Sequence, residues 1–305
     1  MHKCLKKILL LKNNKSAFLI ALLRRFAFLF PDSLYLRIFF RLKMGFFLNL
    51  DNPKTFGEKI QWLKLYCRDS IYTTLVDKYA VKDYVKEKFG QEYVIPTLGI
   101  WSDANEIDFE NLPNQFVLKT TNGGGGDVII CRDKDSLDKN RVIKHLNKGL
   151  KKNIYRVWRE WPYKNVFPRI IAEKYIEDKD GSLNDYKFFC FDGKVFCCQV
   201  IRNRYTKETI DFYDEKWNHM PFVGLNPVAD NGNEPVEKPK NLSKMIALAE
   251  RMSKNFPFLR VDLFSVDDHI YFGEYTFYPA SGLGFFRPNE WNYKLGELIK
   301  LPPRR

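Results

Sequence analysis

The chain has 305 residues, of which 45% are hydrophobic and 29% charged, and its formal net charge is +13. A chain of this length and apolar content can bury a sizeable core, so global disorder is excluded. No uncharged stretch approaches the ~20 residues that a membrane-spanning helix needs. The six cysteines show neither CxxC spacing nor a paired arrangement with histidine. This usage is typical of reduced thiols, and we expect a cytoplasmic protein.

Positive charge is concentrated at the N-terminus. Residues 1–48 contain ten Lys or Arg and one acidic residue, so +9 of the net charge lies there. Four apolar residues of this segment follow helical spacing: Phe18, Leu22, Phe26 and Leu29. Such a segment could dock on an anionic membrane surface, peripherally at the inner face, or pack on the main domain with its basic side in solvent. Nucleic acid is less favoured, because no basic stripe with interleaved aromatics follows.

Helices are predicted at four places beyond residue 50. Thr55-Phe56-Gly57-Glu58 is a capping-box sequence and predicts a helix start. A second helix is predicted from near Asp77 to Gly90, followed by a short extended segment at residues 94–97. Apolar residues at helical spacing predict two more helices, around Leu146 and around Leu248.

The predicted strands form mainly antiparallel hairpins, one of them around the turn Asp192-Gly193. They are Phe116–Lys119, Asp127–Cys131, Arg169–Ile176, Asp185–Phe191, Lys194–Ile201, Leu259–Val266 and Ile270–Thr276. This mixture of helices and hairpins predicts an α+β fold.

Four consecutive glycines join two of these strands: Gly123, Gly124, Gly125 and Gly126. The backbone N–H groups of such a loop can approach an anion closely, and Lys119 on the entering strand could reach the same anion. The loop lacks the Gly-Lys-Ser/Thr of a Walker sequence and is not a GxGxxG strand-to-helix turn. It therefore predicts a hairpin lid over phosphates, with a flexible surface loop as the alternative.

Two carboxylates lie in the last hairpin. Asp262 and Glu274 stand among apolar residues, where a carboxylate is costly unless it binds a metal or a cation. A three-residue loop would pair position 262 with 274 and place both on one face. A two-residue loop at Asp267-Asp268 would pair 262 with 273 and turn Glu274 to the other face. The pattern predicts a metal site, with an exposed ion network that includes Arg260 as the alternative.

Three motifs, in chain order, resemble the TupA-like ATP-grasp family, which is associated with surface-polysaccharide gene sets. They lie at Asn52–Trp62, Asp77–Lys82 and Phe272–Gly282, and the resemblance covers roughly residues 50–290. It implies an ATP-grasp fold, in which two α+β subdomains clasp ATP. The expected parts are a basic N-terminal segment (1–50), a helical region (51–110), a lid subdomain with the glycine loop (111–176) and a C-terminal subdomain with the metal site (177–305).

The resemblance also implies roles for single residues. Lys78, Lys119 and Lys216 would contact the phosphates of ATP, and Arg260 would lie beside the reacting phosphoryl group. Asp262 and Glu274 would bind Mg²⁺, whereas Thr276 replaces the Asn of the common ligase pattern and leaves a second magnesium open. Adenine and ribose would be bound by Glu173, Lys174, Tyr175, Ile176 and Asp185, the first four through their backbone and through the side chains of Glu173 and Lys174.

The activity that the resemblance implies is ATP-dependent ligation of a carboxylate to an amine. ATP would convert the carboxylate to an acyl phosphate, and the amine acceptor would displace the phosphate. The acid would belong to a small-molecule or lipid-linked glycan substrate, such as a uronic acid or an amino acid. One alternative is a nucleotide-sugar glycosyltransferase, because Asp133-Lys134-Asp135 after an apolar strand fits a metal-binding DxD. Another is an ATP-binding protein without turnover.

Overall fold

The computed structural model describes residues 15–123, 126–177, 183–202, 208–225 and 229–304. In these ranges the α-helices are α1 (Lys15–Arg25), α2 (Asp32–Met44), α3 (Phe56–Tyr66), α4 (Ile71–Val76), α5 (Ala80–Lys88), α6 (Lys139–Leu150), α7 (Ile154–Trp158), α8 (Leu242–Ser253) and α9 (Glu290–Leu298). No helix of the described part is long and apolar enough to cross a membrane.

The strands of the described part form two main antiparallel sheets. They are β1 (Thr97–Trp101), β2 (Phe116–Thr120), β3 (Val128–Cys131), β4 (Ile170–Lys174), β5 (Asp185–Phe191), β6 (Lys194–Arg202), β7 (Thr209–Tyr213), β8 (His219–Met220), β9 (Val223–Gly224), β10 (Phe258–Val266), β11 (His269–Thr276) and β12 (Phe286–Arg287). The small sheet has the order β1-β4-β2-β3, and the large sheet has the order β11-β10-β5-β6-β7-β8. Strands β9 and β12 pair separately. The α+β class predicted from the sequence is confirmed.

The small sheet has its own core. Phe116 and Leu118 alternate toward helix α6, where they pack with Val142 and Leu146. The opposite face of the sheet carries Lys119. The sequence therefore builds a two-layer unit with one side of the sheet packed on α6 and the other carrying Lys119.

This unit begins earlier than the predicted boundary at residue 111. Strand β1 pairs with β4, so the small sheet reaches back to Thr97. Only an extended segment at 94–97 was expected, because five residues containing Gly99 carry little strand signal and the pairing with β4 decides the conformation. At the other end, β4 stops at Lys174 instead of Ile176.

The large sheet belongs to a second, larger core. Helix α8 covers it with Met245 and Leu248, as the helical spacing predicted. Residues of α2 and α3 belong to the same cluster, so the helical region before residue 97 packs with the C-terminal subdomain.

Local signals of the sequence produce the expected ends and turns. The Thr55 hydroxyl accepts from the Glu58 amide at 3.3 Å, and the Glu58 carboxylate accepts from the Thr55 amide at 2.9 Å. This is the predicted capping box of α3. Asp192 and Gly193 have φ of 51° and 74° and form the tight turn between β5 and β6.

Candidate active site

The two carboxylates predicted to bind a metal lie side by side in the large sheet. Asp262 on β10 pairs directly with Glu274 on β11. The turn between the strands is the two-residue loop Asp267-Asp268, which alone would turn Glu274 to the other face. A β-bulge restores the pairing, because Leu263 already pairs with Phe272 and Gly273 is left as an extra residue. The three-residue loop considered from the sequence is therefore wrong, although the pairing it would have given is present.

The bulge position suits glycine. A Cβ on Gly273 would lie 3.0 Å from the Asp262 carbonyl oxygen and 3.1 Å from the Phe264 ring. Both distances are shorter than ordinary carbon contacts. A side chain at this position would require the Asp262 backbone or the Phe264 ring to shift by a few tenths of an ångström where the carboxylates meet.

Two cations hold Asp262, which is 1% exposed. The Arg260 guanidinium donates from Nε to one carboxylate oxygen at 2.6 Å and from Nη2 to the other at 2.7 Å. The Lys187 ammonium on β5 contacts Asp262 and lies 2.6 Å from Asp185. Burial raises the pKa of Asp262, and Arg260 and Lys187 oppose that rise. The charge of this carboxylate is thus matched by neighbours on two strands.

The Glu274 side chain is more exposed than that of Asp262, and its neighbours favour the ionised form of the carboxylate. Burial would raise its pKa, but Lys78, Lys187 and Arg260 together lower it far below the usual range. Its side chain is 37% exposed, so one side of the carboxylate faces out of the protein. Glu274 can therefore accept a further cation without breaking the core.

Lys78 connects this pair to the small sheet. Its Nζ lies 3.2 Å from Glu274 Oε2 and donates to the Gly123 carbonyl at 2.9 Å. The preceding Asp77 accepts from Arg169 at 2.6 Å, and Arg169 is bonded through its backbone to Thr121. The Asp-Lys sequence thus fixes the entrance of the glycine loop against Glu274.

The start of the glycine loop is tightly packed. Gly123 is buried, and a Cβ there would lie 2.8 Å from the Thr120 hydroxyl. Gly126 is exposed on the far side of the loop. Gly124 and Gly125 lie outside the described residues.

Glu173 pairs with two lysines on the face of the small sheet opposite α6. Its carboxylate oxygens lie 2.5 Å from Lys119 Nζ and 2.6 Å from Lys82 Nζ. Burial would raise the pKa of Glu173, but the two ammonium groups bring it below the usual value. Val117 and Ile130 occupy positions paired with one another and with Glu173, so an apolar surface lies beside this cluster on the same face.

These groups suit a magnesium-bound nucleotide. Within the described ranges, no group of three or more His, Cys, Asp or Glu side chains is placed to hold a metal by itself. Mg²⁺ at phosphate sites commonly uses one or two carboxylates together with phosphate oxygens. Asp262 and Glu274 would form such a donor set, and Lys78 and Lys119 would offer positive charge to the phosphates.

A family profile described as TupA-like ATPgrasp matches residues 58–300. The chain belongs to the TupA-like ATP-grasp family. The match covers the whole constellation above and leaves the N-terminal segment outside it. None of the curated proteins compared with the chain matches it.

Several solved structures resemble this ATP-grasp chain. The D-alanine–D-alanine ligase of Bacillus anthracis is 19% identical over 67% of this chain and 57% of that chain, with a TM-score of 0.40. The corresponding ligase of Helicobacter pylori is 14% identical over 81% and 69%, with a TM-score of 0.43. A RimK domain ATP-grasp protein of Sphaerobacter thermophilus is 13% identical over 77% and 70%, with a TM-score of 0.41. The chain therefore spans 57% of the length of the Bacillus ligase.

Some residues to which the ATP-grasp resemblance gives a role in ATP binding lie away from the cluster of charged side chains. Lys174 follows Glu173 on β4, so its side chain points to the opposite face, and only its backbone can serve the site with Glu173. Tyr175 and Ile176 follow the end of the strand, and the Tyr175 hydroxyl donates to Glu177 at 2.5 Å. Lys216 is exposed in the turn between β7 and β8, and the structure does not bring it to the cluster.

Asp185 lies at the edge of the group formed by Lys187, Asp262 and Arg260. It pairs with Phe264 on β10, two residues along from the pair formed by Lys187 and Asp262. This position is compatible with a ribose hydroxyl beside the phosphates. The role in ribose binding stays a prediction.

Four side chains of the site were missed in the sequence. Lys187 follows Asp185 by two residues, and strand alternation alone would have placed both on one face. Lys82 follows Lys78 by four, within the Asp-Lys motif. Phe264 likewise follows Asp262 by two. Arg169 has no comparable local signal, because its bond to Asp77 joins residues 92 positions apart.

Proposed function

We propose that this protein is an ATP-dependent carboxylate–amine ligase that forms an acyl phosphate and then an amide. The observation that carries the proposal is the contact of Lys78 with both Gly123 and Glu274. One lysine thereby joins the glycine loop, the metal-binding carboxylates and the helical region. A triphosphate needs positive charge and backbone donors at such a junction.

The adenine end would use the face of the small sheet opposite α6. Val117 and Ile130 offer an apolar surface next to Glu173, and Phe264 on the large sheet lies on the same face as Asp262. A purine ring packs well between aliphatic and aromatic side chains. The backbone at Lys174–Ile176 would supply the polar contacts to its edge.

The phosphate end would use the charged residues of both sheets. Lys78 and Lys119 would exchange their carboxylate partners for phosphate oxygens, and Asp262 and Glu274 would hold Mg²⁺. When bound, Mg²⁺ would neutralise the charge that builds up as the γ-phosphoryl group is transferred. Arg260 already spans Asp262 and Thr276, at 2.9 Å from the Thr276 hydroxyl, and would fix the orientation of the acidic pair.

The acid and the amine would enter beside Glu160. Its carboxylate is half-buried, Ser281 donates to it, and Glu274 lies close enough to influence it electrostatically. Lys64 donates to the Ser281 hydroxyl at 2.7 Å, and burial lowers the pKa of Lys64 to about 8. A substrate carboxylate oxygen would attack the γ-phosphorus and release ADP. The amine nitrogen would then attack the acyl carbon, release phosphate and lose a proton.

The polysaccharide setting is a further part of the proposal. The TupA-like family is associated with surface-polysaccharide gene sets, so the acid would be a uronic acid or an amino acid of a glycan precursor. The measurement is release of ADP and phosphate with pools of sugar acids and amino acids. Amide formation, checked by mass spectrometry, supports the proposal. ADP release with no amide product in any of the pools contradicts it.

A glycosyltransferase is the rival function. The ligase would need Asp262 for turnover, whereas the glycosyltransferase would need Asp133. Asp133 is exposed after β3 and accepts from the Asp135 amide, while Asp138 caps α6. We expect Asp262→Asn to abolish turnover and Asp133→Asn to leave it unchanged. Nucleotide-sugar hydrolysis that needs Asp133 and not Asp262 would establish the rival.

A further inference from the structure

The N-terminal helices have one side fastened to the protein. Leu23 and Ala27 are buried, and the Arg159 guanidinium donates to the Ala27 carbonyl and stacks on Tyr35 at 4.2 Å. Arg24 also points inward, with its guanidinium 4.6 Å from the Trp158 ring. The segment is therefore an ordered part of the surface.

The other side is apolar and open. Six exposed side chains form what we name the N-terminal apolar face: Phe18, Leu19, Leu22, Phe26, Phe28 and Leu29. Phe28 is 70% exposed and Leu29 is 64% exposed. Packing on the main domain thus accounts for Leu23 and Ala27 but leaves this face uncovered. Contiguous exposed apolar residues of this kind mark an interaction surface.

Basic side chains border the same face. Lys15, Phe18, Leu22 and Arg25 follow the spacing i, i+3, i+7 and i+10, so they lie in one row along α1 with a cation at each end. Three more basic side chains of α2 are exposed: Arg37, Arg41 and Lys43. In the sequence, Lys3, Lys6, Lys7 and Lys12 precede this row.

Acidic charge is sparse in this segment. Asp32 is the one acidic residue between 15 and 48, and it pairs with Arg68 at 2.6 Å and Arg159 at 3.0 Å. An apolar row with cations at both ends matches the apolar interior and anionic headgroups of a phospholipid surface. A second copy of the chain would instead bring like charges together.

We propose that the N-terminal apolar face docks on an anionic phospholipid surface, with Lys15 and Arg25 at the headgroups. The segment lies outside the residues matched by the family, 58–300. The attraction falls as ionic strength rises, whereas the apolar contribution remains. The proposal is independent of the ligase reaction.

Vesicle sedimentation of the full chain tests it. The wild type should pellet with vesicles containing phosphatidylglycerol, less at high salt, and much less with phosphatidylcholine alone. The variant Phe18→Ser, Leu22→Ser, Leu29→Ser should lose at least about tenfold in partitioning. Tyr293→Ser is the matched control, because Tyr293 is 48% exposed and Phe18 is 49% exposed. Equal thermal melting of all variants establishes that they are folded.

A second pair of variants separates local from overall charge. One double variant is Lys15→Glu with Arg25→Glu, and the other is Lys238→Glu with Lys300→Glu. Both change the net charge by the same amount. Only the first pair should weaken binding by more than about tenfold. Equal losses would mean that overall charge drives binding and would overturn the proposal. Absence of pelleting overturns it too, as does self-association in solution that the triple serine variant abolishes, which would identify a second copy as the occupant.

Discussion

The Lys78 ammonium lies 3.2 Å from the Glu274 carboxylate, across the junction between the glycine loop and the large sheet. Its other partner is the Gly123 carbonyl. A nucleotide phosphate arriving here would compete with both for the same cation. The junction is thus closed by an ion pair that a triphosphate can replace.

Replacing Lys78 should affect nucleotide binding more than folding. Lys78→Met removes one charge-assisted contact to phosphate, so we expect ATP affinity to fall by about tenfold to a hundredfold. Isothermal calorimetry measures the affinity, and Lys86→Met on the exposed side of α5 is the control. An unaltered affinity in a folded Lys78→Met protein would remove this lysine from the phosphate site.

Substituting Gly273 should separate the two carboxylates. In Gly273→Val the new side chain would press on the Asp262 carbonyl and on Phe264, which lie 3.0 and 3.1 Å from a Cβ. We expect a loss of about 1–3 kcal/mol in unfolding free energy and a larger loss of Mg²⁺-dependent nucleotide binding. Binding without Mg²⁺ is the internal control. Equal weakening with and without the metal would contradict the assigned role of the bulge.

Lys187 should be replaceable in part by a metal ion. Lys187→Met leaves Asp185 and Asp262 with less positive charge, and breaking such a buried pair costs about 3–5 kcal/mol. Because Mg²⁺ would supply the missing charge, it should raise the melting temperature of Lys187→Met more than that of the wild type. Lys187→Arg keeps the charge and should respond like the wild type. A Lys187→Met protein indifferent to Mg²⁺ would speak against metal binding by Asp262.

Glu173 should make stability depend on acid pH. Lys119 and Lys82 lower the folded-state pKa of Glu173 below its usual value of 4.5 despite burial, so folding favours the ionised form. The contribution of the Glu173 carboxylate to the free energy of unfolding is complete above pH 4.5 and is lost as pH falls through the folded-state pKa. Glu173→Gln should therefore cost about 3 kcal/mol at neutral pH, and the difference from the wild type should shrink below pH 4.5.

Urea unfolding at a series of pH values measures this difference. The exposed Glu237→Gln variant should parallel the wild type throughout. A difference between Glu173→Gln and the wild type that stays constant down to acid pH would show that the ion pairs with Lys119 and Lys82 do not stabilise the fold.

Local patterns in the sequence predicted most of the elements and part of the site. The capping box at Thr55 and the turn at Asp192-Gly193 depend on neighbours in the chain, and both are present. Strand β1 and the bond from Arg169 to Asp77 depend on distant partners, and neither was anticipated. The pair of Asp262 and Glu274 was foreseen as a possibility, but the bulge that produces it was not, although the buried positions of β11 change phase there, from Ile270 and Phe272 to Tyr275.

The bulge at Gly273 shifts the register of β11 relative to β10 by one residue. Residues 270–272 have the partners on β10 that a two-residue turn gives, whereas the partners of Glu274 and Thr276 are shifted by one residue. Deleting Gly273 would leave a regular hairpin in which Glu274 directly follows Phe272 and still pairs with Asp262. The bulge therefore lets β11 hold one residue more than the two-residue turn requires without sending the two carboxylates to opposite faces.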